Sequence, residues 1–592
     1  MLNFYDFEVF KYDWLVVVIN PFEQTEKVIV NSADELSALY NQHKDEVWVG
    51  YNNKGYDQYI FKAILCGFNP KEVNDYIIKQ HCPGWRFSDL FRKFPMLNYD
   101  VMQGNDGGLK SLEGFMGNNI KETSIPFDID RKLTKREIQE TIKYCRHDVE
   151  QTIETWLQRQ GSFEAIMQLI KAFELPITDI SKTETQLSAK ILGASRRDYD
   201  DEFNICFPDT LKLDKYKCVY EWFKNPINHR YKKEVIGRSG KKKIVSNNLE
   251  IDISGVPHIF AWGGLHGAIP KYHGKGYFLM IDVTSLYPSL MIRYGLISRS
   301  CADPKQYEEI YNTNLEMKKT KNPLRPAYKL VCNKTYGGMK DVNNALYDPR
   351  QANNVCIHGQ LLLLDLIEKL EPYSELIQSN TDGLLIKMPG ADTEENRDKF
   401  FNKIDSIVSE WEKRTGLNME FDEYTEIYQK DVNNYIAIPV GDLYDEKGKP
   451  RWKSKGAYVK KLSKLDFDLP IINEALNNYM IHAVSVETTI NECNELIKYQ
   501  KIVKVSSKFE AAYHNGKKLD EKCFRVFASL DNSDSYIGRK KAGNKTVEKF
   551  GNTPENCFIV NTAVNGVSIP DKLDKQWYIN LAKKRLNDFG VE

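Results

Sequence analysis

An apolar run, Tyr277 to Ile281, ends on a carboxylate, and the chain continues Asp282-Val283-Thr284-Ser285-Leu286-Tyr287-Pro288-Ser289. A short, uninterrupted apolar run of this kind reads as a fully buried strand. Asp282 therefore sits at the end of a rigid element, and the ring of Tyr287 falls at the start of a helix. A helical hairpin is predicted next. Helical periodicity runs from Lys305 to Thr320, Pro323 and Pro326 bracket a turn at Asn322–Arg325, and a second helix runs to Gly337. Further on, Glu375–Ser379 and Leu384–Met388 flank a tight turn at Asn380–Asp382, which predicts a β-hairpin. Two strand-borne carboxylates, Asp282 and Asp382, can share hard divalent cations if their strands are neighbours in one sheet.

The bulk properties restrict the alternatives. A chain of 592 residues has room for roughly three or four domains. With 42% hydrophobic and 28% charged residues it is not wholesale disordered. Its longest apolar runs, such as Trp14–Ile19 and Leu361–Leu364, are too short to span a bilayer, so no membrane partner is expected. The N-terminus has no basic-then-apolar leader, which predicts a cytoplasmic protein. Eleven cysteines without a close C-x-x-C pair fit a reducing compartment and argue against a structural zinc. Net charge is zero, with a pI near 7.1. Nucleic-acid binding needs positive charge along one groove, and local basic clusters exist at 230–233, 241–243, 318–321, 453–464 and 539–545. Each cluster taken singly also reads as a solvated face.

A second set of carboxylates lies near the N-terminus. Roughly the first 155 residues alternate strand-like runs (Trp14–Asn20, Val47–Tyr51) with helix-like ones (Leu36–Lys44, Tyr59–Leu65, Lys135–Gln158), predicting an α/β domain. Asp6-Phe7-Glu8 lies on a strand-like segment, so alternation places both acids on one face. Asn53-Lys54-Gly55-Tyr56-Asp57 offers another carboxylate at the mouth of a helix, and Tyr144 and Asp148 share a helical face at one-turn spacing. Asp6, Glu8, Asp57 and Asp148, from three distant segments, can bind two divalent cations that activate water and stabilise a leaving oxygen.

The N-terminal set resembles the three exonuclease motifs of the DEDD 3′–5′ proofreading nucleases, in the subtype with Tyr in the third motif. That resemblance implies an RNase H-like domain, metal ligation by Asp6, Glu8, Asp57 and Asp148, water positioning by Tyr144, and contact of single-stranded DNA by Asn53. Lys110-Ser111-Leu112 is similar to a strand-contacting segment of such domains. The string Asp282 to Ser289, together with Lys329-Leu330-Val331-Cys332-Asn333-Lys334-Thr335-Tyr336-Gly337 and Asn380-Thr381-Asp382-Gly383, resembles the palm and fingers motifs of family B DNA polymerases.

The resemblance implies an α/β and α+β multidomain fold, an RNase H-like exonuclease domain followed by a right-hand polymerase with palm, short fingers and thumb. Expected boundaries are 1–160 for the exonuclease domain, 161–255 for a connecting region, 256–300 and 341–440 for the palm, 301–340 for the fingers, and 441–592 for a helix-rich thumb and C-terminal region. Arg230 to Asn248 reads as a mobile loop or linker.

Implied roles follow residue by residue. Asp282, Asp382 and the carbonyl of Val283 would hold two Mg²⁺ or Mn²⁺ ions, and a further pair would serve the nuclease site. Tyr287 would lie under the sugar of a dNTP, Lys318 and Lys329 would flank its triphosphate, and Asn333 and Tyr336 would face the nascent base pair. Lys430, Tyr435, Lys453, Lys455 and Gly456 would hold primer-template DNA. The third motif departs from the family: Asn380 stands where Asp is usual, and Asn433-Asn434 precede Tyr435 where a Lys is common. Because the first motif begins at residue 6, the chain is similar to compact phage-encoded enzymes, acting in the host cytoplasm. The short intervals between motifs favour a hydroxyl-primed enzyme over a protein-primed one. A monomer is expected, and the neutral charge predicts a replisome accessory protein. The alternatives are a nuclease with a decayed, DNA-binding polymerase half, and a non-catalytic replisome subunit.

Overall fold

Residues 1–236, 242–391 and 393–591 are described by a computed structural model. The chain forms two units, one of Met1–Lys182, Lys461–Ile472 and Glu487–Asn580, the other of Thr183–Lys460, Asn473–Val486 and Leu581–Glu592.

The first unit is built on a five-stranded sheet in the order Thr25–Val30, Trp14–Asn20, Leu2–Val9, Val47–Gly50, Leu97–Asp100. Leu2–Val9 runs antiparallel to Trp14–Asn20 and parallel to Val47–Gly50. Alternation along Leu2–Val9 sends Tyr5, Phe7 and Val9 into an apolar cluster with Trp48, Ile60 and Phe61. Asp6 and Glu8 take the opposite face, where the helix Lys135–Gln158 packs, its Cys145 Sγ donating to the carbonyl of Asp6 at 3.2 Å. A capping box starts that helix: Thr134 Oγ accepts from the Glu137 N–H and Glu137 from the Thr134 N–H.

The same unit contains most of the C-terminal region. A three-stranded sheet (Lys501–Lys504, Cys523–Ala528, Cys557–Ile559) and a four-stranded one (Lys517–Leu519, Ala511–His514, Gly538–Lys540, Glu548–Lys549) replace the helices expected there. These strands are two to six residues long, too short for a two-residue alternation to stand out from the charged segments around them. Arg525, fully buried on Cys523–Ala528, ties the region to the helix Leu109–Phe115. It donates to Gln500 Oε1 and to the carbonyls of Gly114, Asn118, Val560 and Thr562. Residues of the span 441–592 belong to both units, and the first unit includes the chain up to Lys182.

The second unit carries a nine-stranded antiparallel sheet in the order Lys453–Lys455, Asn434–Pro439, Met419–Asp431, Tyr272–Val283, Gly383–Lys387, Glu375–Ser379, His266–Ala268, Val256–Phe260, Leu249–Ile253. Phe278, Met280, Leu385, Tyr424 and Tyr435 form the apolar cluster of one face. The helix Pro349–Leu370 is buried along nearly its whole length, its Gln360 holding the carbonyls of Ala261 and Gly263. The predicted helical hairpin is present as Pro304–Thr320 and Arg325–Lys340, joined by Tyr307 Oη donating to the Cys332 carbonyl at 2.9 Å. Arg230 to Asn248, expected as a loop, contains the hairpin Lys232–Ile236 and Lys242–Ser246. Lys241, in one of the basic clusters, lies outside the described residues. Among the described residues, no helix is long and apolar enough to cross a membrane.

Candidate active sites

In the second unit, Tyr272–Val283 and Gly383–Lys387 are antiparallel neighbours, with Asp282 directly opposite Gly383. The Val283 N–H donates to the Asp382 carbonyl at 2.7 Å. The backbones of Asp282 and Asp382 thus lie side by side at the end of one strand pair. Gly383 is obligatory: a Cβ there would lie 1.9 Å from Asp282 Oδ1 and 2.7 Å from the Ile281 carbonyl. Asn380 builds the turn, its Oδ1 accepting from the N–H groups of Asp382 (3.1 Å) and Gly383 (2.6 Å). An acceptor is what this position demands, and Asn supplies one as Asp would.

Burial pushes the Asp282 carboxyl above its ordinary pKa, Asp382 and Asp422 add to the shift, and Lys453 opposes it. Lys453 Nζ lies 3.0 Å from Asp282 Oδ2. Lys453 therefore stands as a counter-ion to the acidic centre. The sequence reading missed Asp422. It faces Met280 across the strand pair, one alternation from Glu420, which faces Asp282; the Glu-x-Asp alternation in Met419–Asp431 was the available signal.

A pocket of about 270 Å³ is lined by Ser285, Leu286, Tyr287, Pro288, Asn333, Thr381 and Asp382. Residues from all three sequence motifs thus converge on one cavity. Ser285, in the left-handed region at φ 54°, breaks the chain direction between strand and helix so that Tyr287 faces this space. Tyr287 and Tyr336 pack with ring centroids 4.0 Å apart, and Tyr336 Oη lies 2.7 Å from Cys356 Sγ. Gly264 abuts Thr381 so closely that a Cβ would lie 2.3 Å from its hydroxyl. Lys318 and Lys329 are exposed on the helical hairpin and do not line the pocket.

The remaining expected DNA contacts divide. Tyr435 is 1% exposed, within the apolar cluster beneath the carboxylates, so its expected contact with DNA is corrected to a packing role. Lys430 pairs with Asp431 at 3.4 Å and lies over the Tyr458 ring. Lys455 is half-buried opposite Tyr435 on the edge strand. Gly456 has φ +100°, and a Cβ would lie 2.1 Å from the Asn433 carbonyl.

In the first unit, four carboxylates converge. The Phe7 N–H donates to Asp57 Oδ1 at 3.2 Å, placing the helix Asp57–Leu65 against the strand that carries Asp6 and Glu8. Asp6, Glu8 and Cys145 present ligand atoms within 4.8 Å of one another. Burial raises the pKa of all four acids, with mutual repulsion adding at Asp6 and Glu8. Asp57 is pushed up to about 7 and Asp148 to about 6. Lys110 forms an ion pair with Asp148, bonds to Glu113 at 2.9 Å, and lies over the Tyr144 ring. The Tyr144 hydroxyl is raised by burial and by the neighbouring acids. A buried cluster of four carboxylates beside one thiol and one ammonium has a charge imbalance that a hard divalent cation corrects, and its carboxylate oxygens suit Mg²⁺ or Mn²⁺. Asn53 is fully buried and donates to Asn98 Oδ1 and the Tyr99 carbonyl. Its expected strand contact is corrected: it braces the turn before Asp57.

No family model matches the chain. Over 230 residues, 38% of its length, it is 23% identical to DNA polymerase 1 of Sulfurisphaera ohwakuensis, and the match spans 23% of that protein. Compared by fold, the whole chain aligns with 78% of the family B DNA polymerase from the hyperthermophilic archaeon Pyrobaculum calidifontis, at 14% identity and a TM-score of 0.40.

Proposed function

We propose that the chain is a template-directed DNA polymerase that adds dNTPs to a primer 3′-hydroxyl and proofreads with a 3′–5′ exonuclease. The observation that carries this reading is the strand pairing of Asp282 with Gly383, which sets Asp382 beside it at a pocket shared with Tyr287 and Asn333. The local likeness to DNA polymerase 1 of S. ohwakuensis supports it. A paired-carboxylate site beside a hollow lined by all three motifs suits phosphoryl transfer, where alignment and charge dominate the barrier.

Asp282, Asp382 and the Val283 carbonyl would hold two divalent cations, Mg²⁺ or Mn²⁺, and Asp6, Glu8, Asp57 and Asp148 another pair. Bound there, such ions neutralise phosphate charge and lower the pKa of the attacking oxygen. Lys453 opposes the upward shift that burial imposes on Asp282. The Tyr287 ring, braced by Tyr336, would exclude a ribose 2′-hydroxyl. Asn333 would line the nascent pair, and Lys318 and Lys329 would meet the triphosphate. Lys455, Gly456 and Lys430 would track the primer strand. In the nuclease site, Tyr144 would orient the attacking water while Lys110 fixes Asp148. The short spacing of the motifs favours a compact, hydroxyl-primed enzyme of the kind phages encode, acting in genome replication as a monomer.

A labelled primer on a longer template tests this. With Mg²⁺ and dNTPs the primer should lengthen, and without dNTPs it should shorten. Shortening under both conditions would leave only the nuclease, and an unchanged primer would defeat both activities.

A further inference from the structure

A second pocket, of about 650 Å³, opens at the edge of the five-stranded sheet of the first unit, and none of Asp6, Glu8, Asp57 or Asp148 lines it. Lys54, in the turn before the helix Asp57–Leu65, lines one wall with Gln58 and Lys62, one turn apart on that helix. Gln58 binds the two together, donating to the Lys54 carbonyl at 2.7 Å and accepting from Lys62 Nζ at 3.3 Å. Lys44 adds a third ammonium, against one lining carboxylate, Asp45. The balance is positive.

Lys54 and Lys62 are half-buried, and among the described residues neither has a carboxylate within ion-pair distance. Burial holds both ammonium groups below their ordinary pKa, with Asp100 opposing the shift at Lys54. Two half-buried lysines line this wall with Asp100 acting on Lys54 alone, so the wall is short of negative charge that an anion can supply. Asn98 on the edge strand, 2% exposed, also reaches the wall. Its Oδ1 accepts from Tyr5 Oη and Asn53 Nδ2, whereas its Nδ2 has no partner among the described residues. Tyr59 and Met96 give the rest of the pocket an apolar side.

We propose that this pocket binds a phosphate group carried on a small, partly apolar body, the chemistry of a nucleoside monophosphate. The ammonium groups of Lys54 and Lys62 would take the phosphate oxygens, and the wall of Tyr59 and Met96 would take the base. The volume falls within the range of small-molecule sites, roughly 300–1,000 Å³. A free nucleotide and the phosphorylated end of a DNA strand share this chemistry. The site stands apart from the polymerase reading and does not depend on it.

Titration calorimetry on the full chain in EDTA tests the proposal, because without metal the carboxylate clusters have no bridging cation to draw a phosphate. The probes are dTMP, thymidine, and a 5′-phosphorylated thymidine oligonucleotide. dTMP should bind with one-to-one stoichiometry and thymidine should not. Lys54→Gln and Lys62→Gln should each weaken binding by about tenfold or more, with melting temperatures no lower than that of the wild type. Lysine-dependent binding of the oligonucleotide without dTMP would identify a strand end as the source and still support phosphate recognition. Thymidine binding as well as dTMP, variants binding like the wild type, or no binding of either phosphate probe would overturn the proposal. Should the variants fold poorly, acylation of Lys54 and Lys62 in the wild-type chain, mapped by mass spectrometry, must be slowed by dTMP or by the oligonucleotide. Equal rates with and without both would also overturn it.

Discussion

The Val283 N–H donates to the Asp382 carbonyl at 2.7 Å, joining two residues separated by a long helical excursion. This one bond fixes the relation of the strand end that carries Asp282 to the turn that carries Asp382. The candidate polymerising chemistry depends on it.

Gly383→Ala tests that relation sterically. The new Cβ would lie 1.9 Å from Asp282 Oδ1, so the carboxylate must move by an ångström or more. Primer extension should fall by about 100-fold or more, the usual cost of such a misplacement. Shortening of single strands should be unaffected. A variant extending primers like the wild type would show that the position of Asp282 is immaterial.

Asn380 separates two explanations of the departure from Asp. If the residue serves as a turn acceptor, Asn380→Asp preserves both bonds to the backbone of Asp382 and Gly383, and extension persists. Asn380→Ala leaves those N–H groups without their acceptor, a local cost of about 1–3 kcal/mol, and extension should drop about tenfold. Equal activity in all three forms, measured by single-nucleotide incorporation, would refute the role.

Lys453 and Lys455 lie two residues apart and should fail differently. Lys453 lowers the pKa of Asp282, so Lys453→Gln raises it, and the acidic limb of the rate–pH profile should move to higher pH. Lys455→Gln should weaken DNA binding and reduce its salt slope by about one without moving that limb. Identical profiles would contradict the counter-ion assignment.

The N-terminal carboxylates give a pH signature of stability. Asp57 and Asp148 have folded pKa values of about 7 and about 6, above the unfolded values. A carboxyl with a raised folded pKa contributes stability that is fully present below its unfolded pKa, near about 4. That contribution is lost as pH rises through the folded pKa. In EDTA, the melting temperature should therefore fall between about pH 5 and pH 8. Mg²⁺ or Mn²⁺ should restore it most strongly at the alkaline end. A pH-independent metal effect would contradict an ionised metal-binding cluster.

Arg525 tests the unexpected placement of the C-terminal strands. Burial lowers its pKa to about 10, and its donors are spent on Gln500 and four backbone carbonyls. Arg525→Met should destabilise the first unit by on the order of 3 kcal/mol. Because Gly114 lies one turn from Lys110 on the helix Leu109–Phe115, shortening of single strands should slow as well. A thermal melt unchanged from the wild type would refute the role.

Local periodicity made much of this legible. Lys135–Gln158, Trp14–Asn20 and Glu375–Ser379 have the bounds read from the sequence, because a capping box, a continuous apolar run and a tight turn each act within a few residues. The carboxylates proposed to hold metal could be placed for a similar reason, each lying at the end or on a known face of its element. Register across the sheet was not. It puts Lys453 against Asp282, brings Asp422 into their field and buries Tyr435 beneath them. The strands around Arg525 escaped because their segments are short and their pairing is remote in sequence.

The most direct test pairs two substitutions in one labelled primer-template assay, Asp382→Ala and Asp57→Ala. Asp382→Ala should abolish dNTP-dependent lengthening while shortening persists, and Asp57→Ala should do the reverse. Lengthening that survives Asp382→Ala, with the chain folded and Mg²⁺ present, would contradict a polymerising centre built on Asp282 and Asp382.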